Sequence, residues 1–453
     1  MRSKTSARSK AFGAWACIAL LALAGGTEAS QNLPGPPPTR SKLKNGLEVI
    51  LSPDPALPVV AVVVAYQAGS VQEPPGKTGL AYLIERLMMD AGTEYVAPFQ
   101  HINDISRSGG TLNADAYEDR TLFYQTIPSN QLARVLWLES ERMRGLQITE
   151  ANFERARGLL LEDLRRRRSG EPYLASLFAF DQLIYSEFAF SHPLLGSEDD
   201  IRDLTLEDVK SFYASAYTPN NAVLAIAGNL NRAKTLDFAA RFFESIPRGR
   251  DIPPSTENWT YGRQPIERSF EEPQASSPAL FIGFRIGSPF SNDFYTLTLL
   301  DYILLRGRSA RLPRRLLDRD AKIAYQLSGG IERRQDRAVY KIFVTASAPN
   351  IPACRNVIFN ELEKLQRNFV SADELGRAKT RYRQNLVLRT SSAMDRAIHL
   401  AESALSLRPI GRTIDDLPAE FAKHMAVTDK DIVAIVNRHF SPETRIVLDI
   451  RRR

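Results

Sequence analysis

Cysteine is scarce in this chain: its 453 residues include only two, Cys17 and Cys354. Cys17 lies in an apolar stretch near the start that we expect to be removed on export. The mature chain then keeps Cys354 alone, and one cysteine cannot form an internal disulfide. The mature chain is therefore predicted to fold without a disulfide.

Histidine is also infrequent, and its spacing does not predict a metal site. No two of the five histidines lie at ligand spacing on one helix: His101, His192, His399, His424 and His439. His192 precedes Pro193 in a loop for which we expect a structural role. The chain also shows no glycine-rich phosphate loop, and no Ser-His-Asp arrangement can be argued from it. These absences give little support to a metalloenzyme with a relocated site.

Long apolar runs are missing except near the start of the chain. Residues 11–25 are apolar, and four basic residues precede them: Arg2, Lys4, Arg8 and Lys10. Thr27-Glu28-Ala29 is a plausible cleavage site, so residues 1–29 are predicted to be a signal peptide. The alternative is an uncleaved anchor, but the run of about 15 residues is short for a span of about 20. We expect an exported protein without a transmembrane span, periplasmic if the source is Gram-negative, with a proline-rich tether at 30–41.

A strong charge of one sign is missing as well. The formal charge is +7 and falls to +4 when the predicted signal peptide is removed. A balance this mild does not indicate nucleic-acid binding.

The chain contains an internal repeat at an offset of 223 residues. Residues 204–230 parallel residues 427–453, with Thr205 matching Thr428 and Pro219 matching Pro442. Each copy has the pattern of a capped helix, a turn with proline and an apolar strand, and both threonines are good N-caps. The repeat predicts two homologous halves.

Strand and helix patterns occur in the same order in both halves. The first opens with a predicted hairpin at Asn45-Gly46, and its helices are expected near 129–148, 151–168, 173–186 and 205–216. In the second half we expect strands at 279–289, 323–328 and 338–347, and helices at 291–305 and 309–318. The mixture predicts an α+β fold of two domains, 42–248 and 273–453, joined by a linker at 249–272. Each sheet is expected to be mostly antiparallel and covered by helices on one face.

One apolar helical segment, 79–89, carries three polar residues on one face: Tyr82, Glu85 and Arg86. Buried polar groups need partners. The plainer interpretation is a core helix with a packed tyrosine and an arginine whose charged end reaches solvent. The surrounding sequence, from Ala68 through "GKTGLAYLIERLMMDAGTEY", supports a more specific interpretation.

This region resembles the zinc helix of the insulinase/pitrilysin metallopeptidases. Active members carry H-x-x-E-H there, with two histidine ligands and a glutamate base. The resemblance retains Glu85 as the glutamate but places Tyr82 and Arg86 at the histidine positions. The family's third ligand, a glutamate 77 residues further on, falls at Asp163, in "FERARGLLLEDLRRRR". The adjacent Glu162 should face about 100° away around the helix.

The resemblance thus implies a degenerate zinc site, and residue chemistry explains why. Arginine has no lone pair to offer a metal, and tyrosine is a poor ligand at neutral pH because its pKa is about 10. We therefore expect no bound zinc, no other cofactor and no catalytic residue in this chain. Our hypothesis for the site is that Arg86 takes the place of the metal and pairs with Asp163 and Glu85.

Two further segments resemble substrate-binding parts of the family. One is the edge strand that binds peptide by β-addition, which maps to Gly110, Leu112, Asn113 and Ala114; the alternative is an ordinary covered strand. The other, at 311–330, corresponds to a segment in which an arginine and a tyrosine seven residues apart hold substrate carbonyls. Tyr325 fits the tyrosine, but Asp318 stands at the arginine position, with Arg315 and Arg319 nearby. The alternative there is a solvated basic helix face and a core tyrosine.

The resemblance covers essentially the whole mature chain and predicts a function. We expect a non-catalytic subunit that forms a heterodimer with an active H-x-x-E-H homologue, completes its chamber and binds peptide substrates. The alternatives are a scaffold or peptide-binding protein without a peptidase partner and, with less support, an active zinc metallopeptidase.

Overall fold

A computed structural model describes residues 37–251, 259, 261–318 and 322–452. The predicted signal peptide, residues 30–36 of the predicted tether and Arg319 lie outside these residues. Within the described part of the chain, no helix is long and apolar enough to cross a membrane.

The first sheet lies in the first half of the chain and has the order β1-β2-β6-β3-β5-β4. Its strands are β1 (Thr39–Lys42), β2 (Glu48–Pro53), β3 (Val59–Tyr66), β4 (Thr111–Ala116), β5 (Thr121–Pro128) and β6 (Ala222–Gly228). Strands β2 and β6 are parallel, and the other neighbours are antiparallel. The hairpin predicted at Asn45-Gly46 joins β1 to β2, with Gly46 at a φ of 94° that favours glycine.

The second sheet repeats this topology in the order β7-β11-β8-β10-β9. Its strands are β7 (Ile266–Glu271), β8 (Ala279–Gly287), β9 (Gln326–Arg334), β10 (Arg337–Thr345) and β11 (Arg445–Arg451). One neighbouring pair, β7 and β11, is again parallel. The predicted α+β fold with two homologous, mostly antiparallel sheets is confirmed.

Nine α-helices belong to the described part of the first half. They are α1 (Leu80–Asp90), α2 (Gln100–Arg107), α3 (Leu132–Arg144), α4 (Glu150–Gly170), α5 (Leu174–Ile184), α6 (Phe188–Ser191), α7 (Glu198–Asp203), α8 (Leu206–Ala216) and α9 (Arg232–Phe243). The four helices predicted from the sequence correspond to α3, α4, α5 and α8.

Seven α-helices belong to the described part of the second half. They are α10 (Asp293–Leu304), α11 (Arg311–Leu316), α12 (Ile351–Arg367), α13 (Ala372–Leu388), α14 (Ala393–Leu407), α15 (Leu417–Ala426) and α16 (Asp429–His439). The two predicted helices near 291–305 and 309–318 correspond to α10 and α11.

Each sheet is covered by helices on both faces, so the expectation of one covered face was wrong. One face of each sheet packs against helices of its own half. The other face of the first sheet packs against α14, through Leu400 and Ala401 among others, although α14 belongs to the second half. Strands β3 and β6 are buried on both faces, which explains why their sequences are apolar throughout.

Helix α5 of the first half covers the second sheet in the same way. The rings of Phe180 and Phe281 stack at 5.0 Å between centroids. Gly283 of β8 allows α5 to lie this close to the sheet, because a Cβ at that position would lie 2.6 Å from side-chain atoms of both Phe180 and Ile184. A shift of 223 residues carries α5 to 397–407, inside α14. The two halves therefore exchange equivalent helices, and each completes the core of the other.

The repeated threonines perform equivalent structural roles. The Thr205 side chain caps α8 by accepting a hydrogen bond from the backbone N–H of Asp208. The Asp208 carboxylate in turn accepts a hydrogen bond from the Thr205 N–H. Thr428 and Asp431 form the same capping box at α16. Each box satisfies donors that a helix N-terminus leaves unpaired.

Two strands differ from the sequence prediction. Strand β7 lies inside the stretch predicted as a linker, where its mostly exposed residues show no apolar alternation. Strand β9 runs from Gln326 to Arg334 rather than over 323–328, and most of its residues are also exposed or half-buried. Both are outer strands of the second sheet. Hydrophobic periodicity is weak in such strands because neither face is fully buried. The domain limits themselves remain predictions.

Candidate functional site

The site is built around α1, whose N-terminus is fixed by a buried carboxylate. Glu73 accepts hydrogen bonds from the backbone N–H groups of Gly79 and Ala81, at 2.9 and 2.7 Å. These N–H groups lie at the start of the helix, where backbone donors have no acceptor within the helix itself. Gly79 has a φ of 95°, which a residue with a side chain rarely adopts. The local sequence therefore fixes where α1 starts and which face it presents.

Glu73 is held in turn by His192. Nε2 of His192 lies 3.1 Å from the Glu73 carboxylate, and Nδ1 lies 2.8 Å from the carbonyl oxygen of Phe188. Burial lowers the pKa of His192, but the hydrogen bonds to Glu73 and Phe188 outweigh it and leave the pKa raised. This histidine supports the start of α1, in agreement with the structural role expected for it.

Tyr82 and Asp163 meet where α1 packs against α4. The Tyr82 hydroxyl donates to Oδ2 of Asp163 at 3.2 Å. Burial raises the pKa of Tyr82, and the negative charge of Asp163 raises it further. Glu162 is exposed, whereas Asp163 is half-buried. The structure thus brings together two of the three positions that correspond to zinc ligands in the family.

Asp163 finds its remaining partners on its own helix. It pairs with the guanidinium groups of Arg166 and Arg167, three and four residues further along α4. Burial alone raises the pKa of Asp163, but the hydrogen bond from Arg166 and the charge of Arg167 outweigh it and lower the pKa. The hypothesis that Arg86 pairs with Asp163 and Glu85 is wrong: among the described residues, no ion pair joins Arg86 to either carboxylate. The arginines of α4 are closer in sequence and already neutralise Asp163.

The charged groups that most affect Glu85 are Asp115 of strand β4 and Arg86. Burial, and then the negative charge of Asp115, raise the pKa of Glu85 to about 7, against the opposing effect of Arg86. Asp115 accepts a hydrogen bond of 2.9 Å from the Tyr124 hydroxyl, which accepts one of 3.1 Å from Asn113. The sequence analysis did not identify Asp115 or Tyr124.

The edge strand expected to bind peptide is the outer strand of the first sheet. Strand β4 pairs with β5 on one side and ends the strand order on the other. Gly110 precedes the strand, and a Cβ there would lie 2.6 Å from the Thr126 carbonyl oxygen. Asn113 is exposed, Leu112 is half-buried and Ala114 is buried. The backbone edge needed for β-addition is thus next to the site.

The second predicted binding segment is only partly described. Tyr325 is 63% exposed, so the alternative of a core tyrosine was wrong. Nε of Arg315 lies 3.6 Å from the Glu361 carboxylate, with most of the arginine side chain exposed. Arg319 lies outside the described residues. Among the described residues, no hydrogen bond or ion pair joins Arg315 to Tyr325, and their shared role in binding stays a prediction.

The residues at the ligand positions do not fit zinc. Arg86 offers no lone pair, and the Tyr82 hydroxyl is engaged as a donor to Asp163. The described part of the chain contains no group of three or more His, Cys, Asp or Glu side chains placed to hold a metal ion. We therefore assign no step of any reaction to zinc in this chain.

Comparison with known families agrees with this architecture. The profile described as Insulinase (Peptidase family M16) matches residues 48–176, and the profile described as Peptidase M16 inactive domain matches residues 203–382. Together the two profiles span more than half of the chain. The chain belongs to the insulinase (M16) peptidase family.

Relatives within the M16 family include proteins named as zinc proteases. Zinc protease PqqE of Helicobacter pylori is 26% identical over 406 residues, which cover 88% of this chain and 89% of the relative. An uncharacterized zinc protease of Rickettsia felis is 24% identical over 350 residues, covering 77% and 82% of the two chains.

Solved structures of M16 proteins share the fold. A protease from Helicobacter pylori has a TM-score of 0.85 at 24% identity and covers 93% of this chain and 100% of its own. A peptidase M16 inactive domain from Pseudomonas fluorescens has a TM-score of 0.79 at 19% identity, with 92% and 98% coverage. The periplasmic protease PqqL of Escherichia coli has a TM-score of 0.74 at 16% identity, covering 92% of this chain and 48% of PqqL.

Proposed function

We propose that this chain is a non-catalytic M16 subunit that binds peptides and completes the chamber of a zinc-carrying partner. The observation that carries the proposal is the replacement at the ligand positions: Tyr82 donates a hydrogen bond to Asp163, and Arg86 stands at the second histidine position. Without a metal-activated water, Glu85 has no nucleophile to generate. The fold is retained while the chemistry of an M16 peptidase is lost.

Peptide binding is proposed along the outer edge of β4. An extended peptide would add a strand there through main-chain hydrogen bonds, using the edge from Gly110 to Ala114. Tyr325, with Arg315 or Arg319, is proposed to hold substrate carbonyls from the second half. The partner is proposed to be an H-x-x-E-H homologue of similar length, and both chains are proposed to be exported.

Metal analysis of the purified mature chain, residues 30–453, tests the loss of chemistry. We expect the chain to purify without stoichiometric zinc and to leave unstructured peptides intact when alone. The matched variant Tyr82→His, Arg86→His and Asp163→Glu restores the family's ligands and should gain zinc. One zinc per unaltered chain, with peptidase activity that a chelator removes, would instead identify an active metallopeptidase, in keeping with the names of its relatives.

The proposed partnership has a separate test. Tagged chain expressed in its native organism should co-purify with one companion that carries H-x-x-E-H, and removal of this chain should lower the companion's peptidase activity. A homodimer that binds peptides and has no such companion would support the alternative of a scaffold or peptide-binding protein.

A further inference from the structure

Arg86 is a charged side chain without a partner in the described part of the chain. It is half-buried on α1, and its Nε is buried without a hydrogen-bond acceptor. The neighbouring basic residues on α4, by contrast, are paired: Arg166 and Arg167 bind Asp163, and Arg165 binds Glu198. A buried donor left unsatisfied is unfavourable, so this arrangement requires an explanation.

The carboxylates nearest to Arg86 do not neutralise it. Asp163 already accepts hydrogen bonds from Tyr82, Arg166 and Arg167. Glu85 interacts with the charge of Arg86, yet no ion pair joins the two among the described residues. Arg86 therefore keeps donor capacity for a group that the described residues do not supply.

The position of Arg86 points to where such a group would come from. Arg86 lies one turn beyond Tyr82 on α1, and the adjacent Glu85 is near enough to Asp115 on β4 for that charge to raise the Glu85 pKa. Helix α1 packs directly against β4, and among the described strands none pairs with the outer edge of β4. A strand added to β4 would pass the side of α1 that carries these residues.

We propose that Arg86 is a carboxylate receptor for peptides bound along β4. The inference rests on the proposed function and extends it by naming the substrate class: peptides that present a carboxylate, from an acidic side chain or from the free C-terminus. A guanidinium group binds a carboxylate through two parallel hydrogen bonds, which adds geometric selectivity to the attraction of charge. The substitution that removes a zinc ligand thus creates an anion site at the same place.

Fluorescence anisotropy of the purified mature chain tests the inference. The probe is a fluorescein-labelled decapeptide of Val, Thr and Ala in which Glu or Gln is placed at each position in turn. Every peptide is made with a C-terminal carboxylate and with a C-terminal amide, so the two sources of carboxylate are distinguished. We expect one placement of the carboxylate to bind about tenfold or more tightly than its amide counterpart.

Three variants locate this preference. Arg86→Gln should reduce it to less than about twofold while leaving the affinity for the neutral peptide unchanged, because the main-chain contacts remain. Arg86→Lys should retain part of it, since a lysine keeps the charge but lacks the planar fork. Arg168→Gln, at an exposed arginine of α4, should retain it fully. Circular dichroism and the thermal midpoint establish that each variant is folded.

The outcomes separate the inference from the proposed function. Equal affinity for all peptides, or a preference that survives Arg86→Gln, would overturn the carboxylate receptor and leave peptide binding intact. Failure of every peptide to bind would overturn the peptide-binding role and the receptor together.

Discussion

The Tyr82 hydroxyl lies 3.2 Å from Oδ2 of Asp163 and joins α1 to α4 at two of the positions predicted to correspond to zinc ligands. A donor and an acceptor thus take the place of two metal ligands. The contact contributes to the packing of the two helices, since it gives the half-buried Tyr82 hydroxyl an acceptor.

Replacement of Tyr82 by phenylalanine tests this contact. Tyr82→Phe should lower the free energy of unfolding by about 1 kcal/mol, because one hydrogen bond is lost while Arg166 and Arg167 still neutralise Asp163. Urea denaturation measures the change. Tyr325→Phe is the matched control at an exposed tyrosine and should change stability by less than about 0.5 kcal/mol. Equal effects of the two substitutions would mean that the hydroxyl of Tyr82 contributes nothing.

Glu85 should make stability depend on pH. Its pKa is raised to about 7, above the ordinary value, so the folded state binds the proton more tightly than the unfolded state. This contribution is present in full below the unfolded pKa and is lost as the pH rises through about 7. As the pH rises from 5 to 8, the free energy of unfolding of Glu85→Gln should therefore increase by about 1–2 kcal/mol relative to that of the unaltered chain. This value allows for solvent screening, which reduces the effect of the pKa shift on stability.

Urea denaturation of both proteins at several pH values measures this difference. Glu363→Gln, at an exposed glutamate of α12, is the control and should show no such trend. A difference between the Glu85 variant and the unaltered chain that stays constant from pH 5 to pH 8 would contradict the raised pKa.

The exchanged helices should couple the stability of the two halves. Leu400 is buried on α14 against the first sheet, and Leu400→Ala should cost about 2–5 kcal/mol. Amide hydrogen exchange should then speed up in β3 and β6 of the first half as well as in α14. Leu388→Ala, at a leucine that is 66% exposed, is the control. Faster exchange confined to the second half would show that the first sheet does not depend on α14.

The two capping boxes should contribute equally to the free energy of unfolding. Thr205→Ala and Thr428→Ala remove side chains with the same role in the two halves, and each should lower the free energy of unfolding by about 1 kcal/mol. Chemical denaturation of the two single variants and the double variant measures this. The double variant should show the sum, since the two sites share no hydrogen-bond partner among the described residues.

The repeat and the apolar strands could be predicted because their signals are local. The match of Thr205 with Thr428 predicted equivalent capped helices, and the strand and helix order predicted two homologous sheets. The exchange of α5 and α14 could not be predicted in this way. The sequence shows that both faces of β3 are apolar, but it does not show which helix covers the second face.

The resemblance to the family predicted that Asp163 lies near α1, where it contacts Tyr82, but the predicted pairing of Asp163 with Arg86 was wrong. The pairing of Asp163 with Arg166 and Arg167 has a local signal in the sequence, because these residues lie three and four positions apart on one helix. The contact between Glu73 and His192 joins residues 119 positions apart and has no such signal.

The native complex gives the most direct test of the account. The complex that contains this chain is purified from its own organism, and its mass and zinc content are measured together. The account predicts a heterodimer with one zinc, held by a companion that carries H-x-x-E-H. A complex in which this chain is the only M16 subunit and itself binds zinc would contradict it.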